Sequence, residues 1–594
     1  MNFNKRTHNC GELRINEAGQ NVVLNGWANV ARDLGNLIFI DLRDRWGITQ
    51  IVIEPDSNPE AAKIGQQIRS EFVLSVSGIV RKRENPNDKI PTGLIEILIS
   101  EIQILNQSEL PPFHITGDSE VGEDLRLKYR FLDLRRQRLQ NNMLVRSKLY
   151  QITHSYFYDN DFIEIETPVL MKSTPEGARD FLVPSRLHKG NFYALPQSPQ
   201  IFKQILMVSG YERYMQIVKC FRDEDLRSDR QPEFTQIDVE MSFVNQDDII
   251  ELTEGFIKRI WKEILNVDIT APFQRLSYKD AMENYGSDKP DLRFDMKIKS
   301  INEIVANSEF KVFKDILESD GQIALINAKG CASYSRKQID ELTNFAKKYG
   351  AKGLAWIKLI DGEIKSPIAK FLTEKELKEI SEIANLEEGD LLLISSDTWN
   401  KSLTILGALR LEIAKKQGIL EKAKNNYSFL WVVDFPLFEK AEDSDEYYSM
   451  HHPFTSPKTD SLDMLEKDPY SANAIAHDLV INGHEVGGGS IRIHDKSIQE
   501  KMFKLLGLSD EEANEKFGFL LDALKYGAPP HGGIAFGLDR LVMILTGIDN
   551  IRDVIAFPKT TTGASLMEGS PSNVSESQLS ELGLKLDLKK SADS

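Results

Sequence analysis

Cysteine is scarce in this sequence. Three residues, Cys10, Cys220 and Cys331, occur among 594, and no two of them lie near each other. This spacing excludes a disulfide framework and any zinc site built from closely spaced cysteine and histidine. Isolated thiols are typical of a reducing compartment. We therefore predict three free, buried cysteines.

Long apolar runs are also missing. No segment approaches the roughly 20 apolar residues that a membrane helix needs, and the first residues hold no apolar signal core. Basic residues are not in excess, since 73 Lys and Arg stand against 90 Asp and Glu, a net charge of −17. That balance excludes a protein that coats nucleic acid non-specifically, but not a local basic face that holds a folded RNA. We predict a cytoplasmic protein with no membrane partner.

Several domains are expected from the length of the chain and its 41% hydrophobic residues. Changes of pattern along the chain divide it into six segments. They are a small β domain (1–108), a proline-rich hinge (109–124), the first part of a split domain (125–288), an inserted α/β domain (289–424), the second part of the split domain (425–571) and a polar tail (572–594). We expect the tail to be weakly ordered.

The first segment has five short runs rich in Val and Ile, separated by turn residues: 22–30, 37–43, 48–53, 72–80 and 94–104. Five strands in a small domain predict a barrel of the oligonucleotide-binding type. In the second run Phe39 lies on the polar face with Asp41 and Arg43. The pattern alone favours two roles about equally, a stacking platform for an unpaired base and a packed edge residue.

A basic run follows the hinge. Residues 125–140 hold six basic side chains and one acid, and lead into a predicted helix over 141–158. A solvated helix face explains this run at least as well as contact with RNA does.

A loop and a strand carry the first chemical motif. Residues 221–224 read Phe-Arg-Asp-Glu, a charged loop follows, and residues 234–240 alternate with period two. Phe234, Gln236, Asp238 and Glu240 therefore share one strand face, opposite an apolar face. Such a polar face is either exposed to solvent or lines a polar pocket, and for an isolated strand exposure is favoured.

Residues 532–540, Gly-Gly-Ile-Ala-Phe-Gly-Leu-Asp-Arg, form the second motif. Glycines let the backbone approach a bulky ligand, and the terminal Arg540 could clamp a polyphosphate. The segment is not a P-loop. By itself it is weak, because a glycine-rich turn with a solvated arginine is commoner.

Together the two motifs resemble motifs 2 and 3 of class II aminoacyl-tRNA synthetases. Residues 162–168 resemble motif 1, whose proline lies at the dimer interface in that family. Four further segments resemble the bacterial-type aspartyl-tRNA synthetases of subclass b: 174–180, 197–200, 450–453 and 485–492.

This resemblance implies a multidomain α+β homodimer. The expected fold has an N-terminal OB-fold barrel for the anticodon, an antiparallel six- or seven-stranded catalytic sheet flanked by helices, and an inserted α/β domain. The implied activity joins L-aspartate to tRNA-Asp through aspartyl-adenylate, with ATP as substrate and Mg²⁺ as cofactor.

The resemblance also implies an ATP site. Its residues would be Arg222, Asp223, Glu224, Gln231, Phe234, Glu485, Gly537, Leu538, Asp539 and Arg540. Arg222 and Arg540 would be catalytic, gripping the α- and γ-phosphates. Arg540 and Phe234 would enclose the adenine, and Glu224 would accept from its amino group. Asp478 and Glu485 are the implied Mg²⁺ ligands, of the hard oxygen type that this ion prefers.

The implied aspartate site consists of Glu176, Ser198, Gln200, Lys203, Arg222, Asp238, His451 and Arg492. From the residues alone, Ser198 and Pro199 read as N-cap and first helical residue, which places Gln200 and Lys203 on one helix face.

By resemblance, Lys203 and Arg492 would bind the substrate's side-chain carboxylate, and Asp238 would hold both cations. Ser198, Gln200 and Glu176 would address its ammonium group, and His451 would cover the site. Facing a neutral amide would cost the buried cations roughly 2–5 kcal/mol, which would exclude asparagine.

For the anticodon and tRNA the resemblance points to seven barrel residues: Arg32, Leu34, Phe39, Gln50, Arg81, Arg83 and Glu96. Leu34 stands where enzymes that also charge the asparagine tRNA tend to have His, so we predict restriction to tRNA-Asp. Two alternatives stay open, an asparaginyl-tRNA synthetase and a relaxed aspartyl enzyme that also charges tRNA-Asn.

Overall fold

The computed structural model describes residues 3–117, 120–174, 178–440 and 447–587. The chain forms two compact units, Met1–Leu144 with Arg552–Ser572, and Val145–Ile551 with Asn573–Ser594. In the part of the chain described, no helix is both long and apolar enough to cross a membrane. The three cysteines are free and buried, as predicted.

The first unit contains a closed five-stranded barrel. Its elements are β1 (Asn21–Asp33), β2 (Ile38–Arg43), β3 (Ile48–Ile53), α1 (Pro59–Gly65), β4 (Val73–Lys82) and β5 (Ile95–Asn106). The strands close in the order β1-β2-β3-β5-β4. Alternate residues such as Leu24, Ile40 and Ile97 are fully buried inside it. The predicted OB-fold barrel is thus confirmed, with each strand within about two or three residues of its predicted bounds.

The basic run folds into α2 (Glu123–Lys128), α3 (Arg130–Asp133) and the start of α4 (Gln137–Asp159). Arg130 is 2% exposed and donates to the backbone oxygens of three residues between 552 and 556 and to Asp133. Arg126 bridges Asp133 and Asp553. Much of this run therefore forms an internal ion-pair network, and a solvated helix face is the wrong description for these arginines.

The second unit begins at Val145, within α4, and nine further elements come next. They are β6 (Ile163–Glu164), β7 (Leu182–Pro184), β8 (Phe192–Ala194), α5 (Gln200–Val208), β9 (Arg213–Phe221), β10 (Glu233–Ser242), α6 (Gln246–Ile260), β11 (Gln274–Ser277) and α7 (Tyr278–Tyr285).

The next segment of the chain forms a separate five-stranded sheet. Its segment comprises β12 (Lys299–Ser300), α8 (Lys311–Glu318), β13 (Gln322–Ala328), α9 (Arg336–Lys347), β14 (Ala355–Ile360), β15 (Glu363–Lys365), α10 (Glu374–Ile383), β16 (Leu391–Asp397), α11 (Trp399–Lys416) and α12 (Ile419–Lys422). The five strands pair in the order β12-β13-β16-β14-β15. We call residues 289–424 the inserted segment, and its predicted bounds stay a prediction.

The remaining elements include the other strands of the large eight-stranded sheet, which the strands before the inserted segment begin. They are β17 (Phe429–Val433), β18 (Phe438–Lys440), β19 (Tyr447–Ser449), α13 (Met464–Lys467), β20 (Ala476–Ile481), β21 (His484–Ile491), α14 (Lys496–Leu505), α15 (Asp510–Ala523), β22 (His531–Gly537), α16 (Leu538–Thr546) and α17 (Glu576–Leu582).

The large sheet has eight strands, in the order β11-β17-β20-β21-β22-β10-β9-β6. The six central strands are antiparallel, whereas the edge strands β11 and β6 pair parallel to β17 and β9. The prediction of six or seven antiparallel strands missed these edges, because four- and two-residue strands carry little periodicity. Helices α5, α6 and α16 pack on the sheet.

The polar tail contains a helix that the sequence did not predict. Helix α17 begins at a Ser575–Gln578 capping box and buries Leu579 to 6% exposure. Its C-cap, Gly583, has φ 72° and packs against Lys189. The prediction of weak order from residue 572 onward is therefore wrong for this helix. Its capping signals are local in the sequence, but the contact that buries Leu579 involves distant residues, which the sequence does not indicate. Residues 588–594 lie outside the described part.

Candidate active site

The polar face of β10 lines a cavity. Because β10 lies between β9 and β22 in the sheet, its alternate side chains project from the middle of one sheet face. The cavity of about 340 Å³ has in its wall Ala178, Gln197, Ser198, Gln200, Lys203, Arg222, Glu224, Gln236, Asp238, His451, His452, Asp478, Glu485, Gly488, Gly489, Arg492 and Ala535. Every residue predicted to bind aspartate is in this list except Glu176, which lies outside the described residues.

Two buried cations meet at one end of this cavity. Lys203, from α5, and Arg492, just after β21, are 1% and 2% exposed. Glu240 joins them: Arg492 donates to its carboxylate through Nε at 2.9 Å and Nη2 at 3.1 Å, and Lys203 Nζ lies 3.3 Å from it. Lys203 also donates to Asp238 at 2.7 Å. The cations are therefore adjacent and fixed, and neither faces bulk solvent.

The pKa values of the two carboxyls in this cluster, Glu240 and Asp238, shift in opposite directions. Burial would raise the pKa of Glu240, but Arg492 and Lys203 outweigh it and lower that pKa to about 2. Burial raises the pKa of Asp238 despite the charge of Lys203. The difference follows from geometry, because Glu240 receives a two-pronged guanidinium contact and Asp238 receives a single ammonium contact.

A neutral histidine touches the other end of Arg492. Arg492 Nη1 lies 2.6 Å from both His452 Nε2 and Ser490 Oγ. Burial and the neighbouring guanidinium hold the pKa of His452 well below its usual value. An imidazole that carries no proton on Nε2 can accept this hydrogen bond, whereas a cationic ring would repel Arg492.

A second cavity of about 230 Å³ adjoins the first. Its wall consists of Arg222, Glu224, Asp229, Arg230, Gln231, Phe234, Gln236, Glu485, Val486, Gly487, Ala535, Gly537, Asp539, Arg540 and Ile551. The two cavities share five residues, Arg222, Glu224, Gln236, Glu485 and Ala535. Arg222 therefore stands at their junction, with its guanidinium 5.1 Å from the Phe234 ring centre. Arg540 donates to the Glu485 backbone oxygen and lies 3.6 Å from Asp229.

Four buried polar atoms in the first cavity have no partner among the described residues. They are Gln200 Nε2, Arg222 Nε, Asp238 Oδ2 and His451 Nδ1. Buried polar atoms in native proteins are nearly always hydrogen-bonded, and an unpartnered one calls for an explanation. Four of them in the wall of one cavity indicate the binding site of a polar ligand.

A pair of carboxylates lies over Gly488. A Cβ on this glycine would be 2.9 Å from Asp478 Oδ1 and 3.5 Å from Glu485 Oε1, so both oxygens converge on the same space. Burial and the charge of Asp478 raise the pKa of Glu485. Two acids forced together in this way suit a divalent cation, and Mg²⁺ commonly takes only one or two carboxylates besides phosphate and water. The residues thus fit the predicted ion.

Gly488→Ala tests this pair. Because the new Cβ would displace Asp478 Oδ1, we expect the Mg²⁺ concentration for half-maximal ATP–pyrophosphate exchange to rise by about tenfold, a loss of about 1.4 kcal/mol. The melting temperature should change little, since a carboxylate rather than backbone must move. Gly518→Ala is the matched control, because its Cβ would meet nothing closer than 3.9 Å. An unchanged Mg²⁺ requirement in Gly488→Ala would contradict the assignment.

The barrel residues form a polar patch on one outer face. Phe39 is half-buried and pairs across the strands with Arg32. Arg32 lies 3.3 Å from Asp41, and burial raises the pKa of Asp41 although Arg32 and Arg83 oppose the rise. Leu34, in the β1–β2 turn, is 66% exposed. Phe39 is thus partly exposed beside Arg32, and its stacking role stays a prediction.

Gln50 and Arg81 are both hydrogen-bonded to Glu96. Gln50 Nε2 and Arg81 Nε each donate at 2.8 Å to one oxygen of Glu96. The predicted contact of Gln50, Arg81 and Glu96 with tRNA stays a prediction. In the structure the Glu96 carboxylate fixes the side chains of Gln50 and Arg81.

Comparison with known proteins accords with this geometry. A family described as "tRNA synthetases class II (D, K and N)" matches residues 122–561, and "OB-fold nucleic acid binding domain" matches residues 22–105. The chain belongs to the class II tRNA synthetases. One relative, "Aspartate--tRNA(Asp/Asn) ligase" of Caldanaerobacter subterraneus subsp. tengcongensis, is 57% identical over 98% of this chain and 99% of its own length. "Aspartate--tRNA ligase" of Macrococcus caseolyticus is 53% identical over 99% of this chain and 100% of its own.

Solved structures support the synthetase fold. Asparaginyl-tRNA synthetase from Pyrococcus horikoshii, complexed with asparaginyl-adenylate, aligns with a TM-score of 0.57 over 93% of this chain and 98% of its own, at 18% identity. Aspartyl tRNA synthetase from Entamoeba histolytica aligns with a TM-score of 0.57 over 94% of this chain and 91% of its own, at 19% identity. At such identity the likeness concerns the fold alone.

Some predicted nucleotide residues do not face the second cavity with a free side chain. Leu538 is fully buried at the start of α16 and has only its backbone to offer. Asp539 lines the cavity, but its carboxylate accepts from Arg146 and from the backbone N–H of Thr235. Asp223 is not among the lining residues, and its backbone pairs with Arg179. The predicted contact of Asp223 and Asp539 with the nucleotide stays a prediction.

Two predicted details of the amino-acid end also differ. Helix α5 begins at Gln200, one residue later than predicted, and Ser198 Oγ accepts from the Gln200 N–H. Gln200 and Lys203 remain on one face. The two-pronged edge of Arg492 is taken by Glu240, so it is not available to a substrate carboxylate. A ligand carboxylate would accept hydrogen bonds from the second Nη2 hydrogen of Arg492 and from Lys203.

Glu240 and His452 are the residues that the sequence interpretation missed. A signal existed for both. Glu240 falls on the same strand face as Asp238 by period two, and His452 follows His451 directly. Neither position indicated a contact with Arg492, which lies 252 residues beyond Glu240 in the chain.

Proposed function

We propose that the protein is an aspartate–tRNA ligase. It activates L-aspartate with ATP to aspartyl-adenylate and pyrophosphate, then transfers aspartate to the 3′ end of tRNA-Asp. The observation that carries this proposal is the adjacent, buried pair Lys203 and Arg492 at the end of a cavity that opens onto an arginine-lined nucleotide cavity. The full-length relatives named as aspartate–tRNA ligases support it.

Selection of aspartate follows from the donors at this end. Lysine and arginine offer only N–H groups, so a carboxylate can accept from both of them. The amide of asparagine would turn an NH₂ group toward a fixed cation. Leaving a buried cation without its acceptor costs roughly 2–5 kcal/mol, or roughly 30-fold to several thousandfold in selectivity.

Activation needs alignment more than covalent help. The α-carboxylate of aspartate attacks the α-phosphate of ATP, and charge develops on the phosphate oxygens. Arg222 stands where the two cavities meet and has an unpartnered buried Nε, so it suits the α-phosphate. Arg540 lies at the nucleotide side and suits the terminal phosphates, while Phe234 provides a ring face for the adenine.

Asp478 and Glu485 would hold Mg²⁺. When bound, the ion neutralises phosphate charge. Gln200 borders the amino-acid end with an unpartnered amide nitrogen, and an amide can offer either its oxygen or its nitrogen to the substrate. Ser198 and His451 line the same cavity and complete the wall around the amino acid.

Anticodon recognition is proposed for the outer patch of the barrel. The family match to an OB-fold nucleic acid binding domain supports it, together with the half-buried Phe39 beside Arg32. Leu34 supports restriction to tRNA-Asp. The relaxed alternative is favoured by one observation, that the relative at 57% identity is named for both Asp and Asn tRNAs.

Phe39→Ala separates the two steps of the reaction. We expect ATP–pyrophosphate exchange to be unchanged, since Phe39 is a barrel residue. Charging at limiting tRNA should weaken by about tenfold or more, because base–aromatic stacking contributes about 1–3 kcal/mol. Phe3→Ala, also in the first unit and 51% exposed, is a control that should leave both steps unchanged. Equal charging by Phe39→Ala and the parent would refute the stacking role.

A homodimer and a cytoplasmic location are also proposed. Val169 and Leu170, next to the motif 1 proline, are 50% and 53% exposed in the single chain. Exposed neighbouring apolar residues suit burial against a second copy, and light scattering would measure its mass. Three free cysteines suit a reducing compartment.

Charging assays test the main proposal. Exchange should depend on aspartate and fail with asparagine, and the purified protein should charge tRNA-Asp. Asparagine-dependent exchange without aspartate-dependent exchange would overturn the assignment in favour of an asparaginyl enzyme. Equal charging of tRNA-Asn with aspartate would establish the relaxed alternative.

A further inference from the structure

The first turn of α16 is tied to the end of β10. The strand pairing between β10 and β22 ends at Gln236 and Gly537. One residue beyond this pair, the backbone N–H of Thr235 donates to the Asp539 carboxylate at 2.8 Å. The carboxylate therefore continues the contact between the two segments by one residue. It fixes α16, which begins at Leu538, against the strand that lines the site.

Arg146, on α4, holds both members of this contact. It donates through Nη1 to Asp539 Oδ1 and through Nη2 to Thr235 Oγ1, the latter at 3.1 Å. The side chains of Arg146 and Asp539 are 15% and 4% exposed, so their ion pair is largely shielded from water. A guanidinium is planar and permanently charged, and its fixed geometry sets the direction of both partners. The start of α16 and the end of β10 thus share one anchor on α4.

The anchored residues are direct neighbours of two side chains that line the second cavity. Phe234 precedes Thr235, Arg540 follows Asp539, and both Phe234 and Arg540 are in the cavity wall. Thr235 points to the other face of β10 from Phe234, because side chains alternate along a strand, and Arg146 contacts it there. Arg146 thus lies behind the cavity wall and acts on the ligand space through the residues that it holds.

We propose that Arg146 is a positioning residue for ATP, which sets the distance between the Phe234 ring and the Arg540 guanidinium and hence the width of the adenine slot. This inference rests on the proposed function, because it needs ATP in the second cavity. A gap of roughly 0.5–1 Å already removes about a quarter to a half of a dispersion contact. A small shift of α16 against β10 is therefore enough to weaken the binding of a stacked base.

The amino-acid end of the site has separate supports. Lys203 lies on α5 and Arg492 follows β21, and both are held by Glu240. Loss of the Arg146 anchor should therefore affect ATP and leave aspartate binding as it is. This split between the two substrates distinguishes a positioning role from a general loss of structure.

Arg146→Met tests this role. Methionine fills much of the space of the arginine stem but provides no donor for Asp539 or Thr235. We expect KM for ATP in the exchange reaction to rise about tenfold and KM for aspartate to change by less than about twofold, since a small misplacement of binding groups is costly. Aspartate should raise the melting temperature of the variant as it does that of the parent, whereas ATP with Mg²⁺ should raise it less.

Arg146→Lys and Thr235→Val weaken the anchor in smaller steps. Lysine keeps a charge for Asp539 but lacks the fork that also reaches Thr235, and valine keeps the branched shape of Thr235 without its hydroxyl. Each should raise KM for ATP about threefold, the loss of one hydrogen bond. Thr235→Val should add nothing to Arg146→Met, because both remove the same contact. Neither removes a buried charge, so these two variants decide the question if Arg146→Met does not fold.

Arg259→Met is the matched control. Arg259 also ties α4 to another part of the second unit, since it donates to Asp159 at 2.8 Å and to Glu263 at 2.9 Å. Neither partner adjoins a residue of the second cavity in the chain. Arg259→Met should therefore lower the melting temperature slightly and change neither KM.

Two results would overturn the proposal. One is a KM for ATP within about twofold of the parent in folded Arg146→Met, or in both Arg146→Lys and Thr235→Val, where a selective rise is expected. The other is a parallel rise of KM for ATP and for aspartate, which would reveal a structural effect alone. Failure of the proposed function is distinct, because the parent protein would then show no aspartate-dependent exchange.

Discussion

Arg492→Leu should abolish aspartate activation. Arg492 is 2% exposed and is one of the two cations proposed to meet the substrate's side-chain carboxylate. Without it that carboxylate would be buried beside Lys203 alone, next to Glu240 and Asp238. Removing one partner of a buried ion pair costs about 3–5 kcal/mol, and we expect kcat/KM for aspartate to fall by on the order of 10³-fold.

The double variant Arg492→Leu with Glu240→Met separates function from folding. In the single variant Glu240 loses its two-pronged partner, so stability also suffers. Removing both charges leaves the Lys203–Asp238 pair intact, and replacing a buried ion pair by apolar residues is often neutral for stability. The double variant should therefore melt near the parent temperature yet remain inactive. Aspartate-dependent exchange within tenfold of the parent, in either folded variant, would refute the role of Arg492.

The sequence predicted the barrel well because its signals are local. Each strand of the barrel carries its own alternation of Val and Ile, with turn residues between them, and burial of residues such as Leu24 and Ile97 follows from that alternation. The edge strands β6 and β11 were not predicted. They are short and pair in parallel with distant strands, so nothing in their own residues specifies the partner.

The site shows the same limit at the level of single residues. Alternation along β10 predicted that Asp238 and Glu240 share a face, and both line the buried cluster. It did not predict which carboxylate pairs with Arg492. That choice depends on the register between β10, β22 and β21, where Glu240 pairs with Gly533 and Gly533 with Ser490, two residues before Arg492.

Gly533 explains why this register is strict. A Cβ there would be 2.2 Å from a Glu240 carboxylate oxygen and 2.0 Å from the Val239 backbone oxygen. The sequence interpretation assigned the glycines of this motif to a close approach by a ligand. Gly533 instead makes room for Glu240 itself, a purpose that is visible only once the two strands are side by side.

Glu240→Gln should destabilise the empty protein and make aspartate a stronger stabiliser. The carboxylate is fully buried and forms ion pairs with two buried cations. We therefore expect the free energy of unfolding to fall by about 3 kcal/mol near pH 7. The substrate's extra negative charge would then compensate part of the uncovered positive charge. Saturating aspartate should therefore raise the melting temperature of the variant more than that of the parent.

Glu263→Gln is a matched control, because Glu263 also pairs with one arginine and one lysine but has a side chain 34% exposed. Exposed pairs contribute about 0–1 kcal/mol, so this variant should melt like the parent. Equal effects of the two substitutions would contradict the view that burial makes Glu240 important.

The dependence on pH gives a further check on Glu240. Its pKa is lowered from the usual 4.5 to about 2 by Arg492 and Lys203, against burial. A lowered pKa contributes stability that is fully present above 4.5 and is lost as the pH falls toward 2. The stability gap between parent and Glu240→Gln should therefore be constant above about pH 5 and narrow below it. A gap that stays constant down to pH 3 would show that Glu240 acts through shape and not through charge.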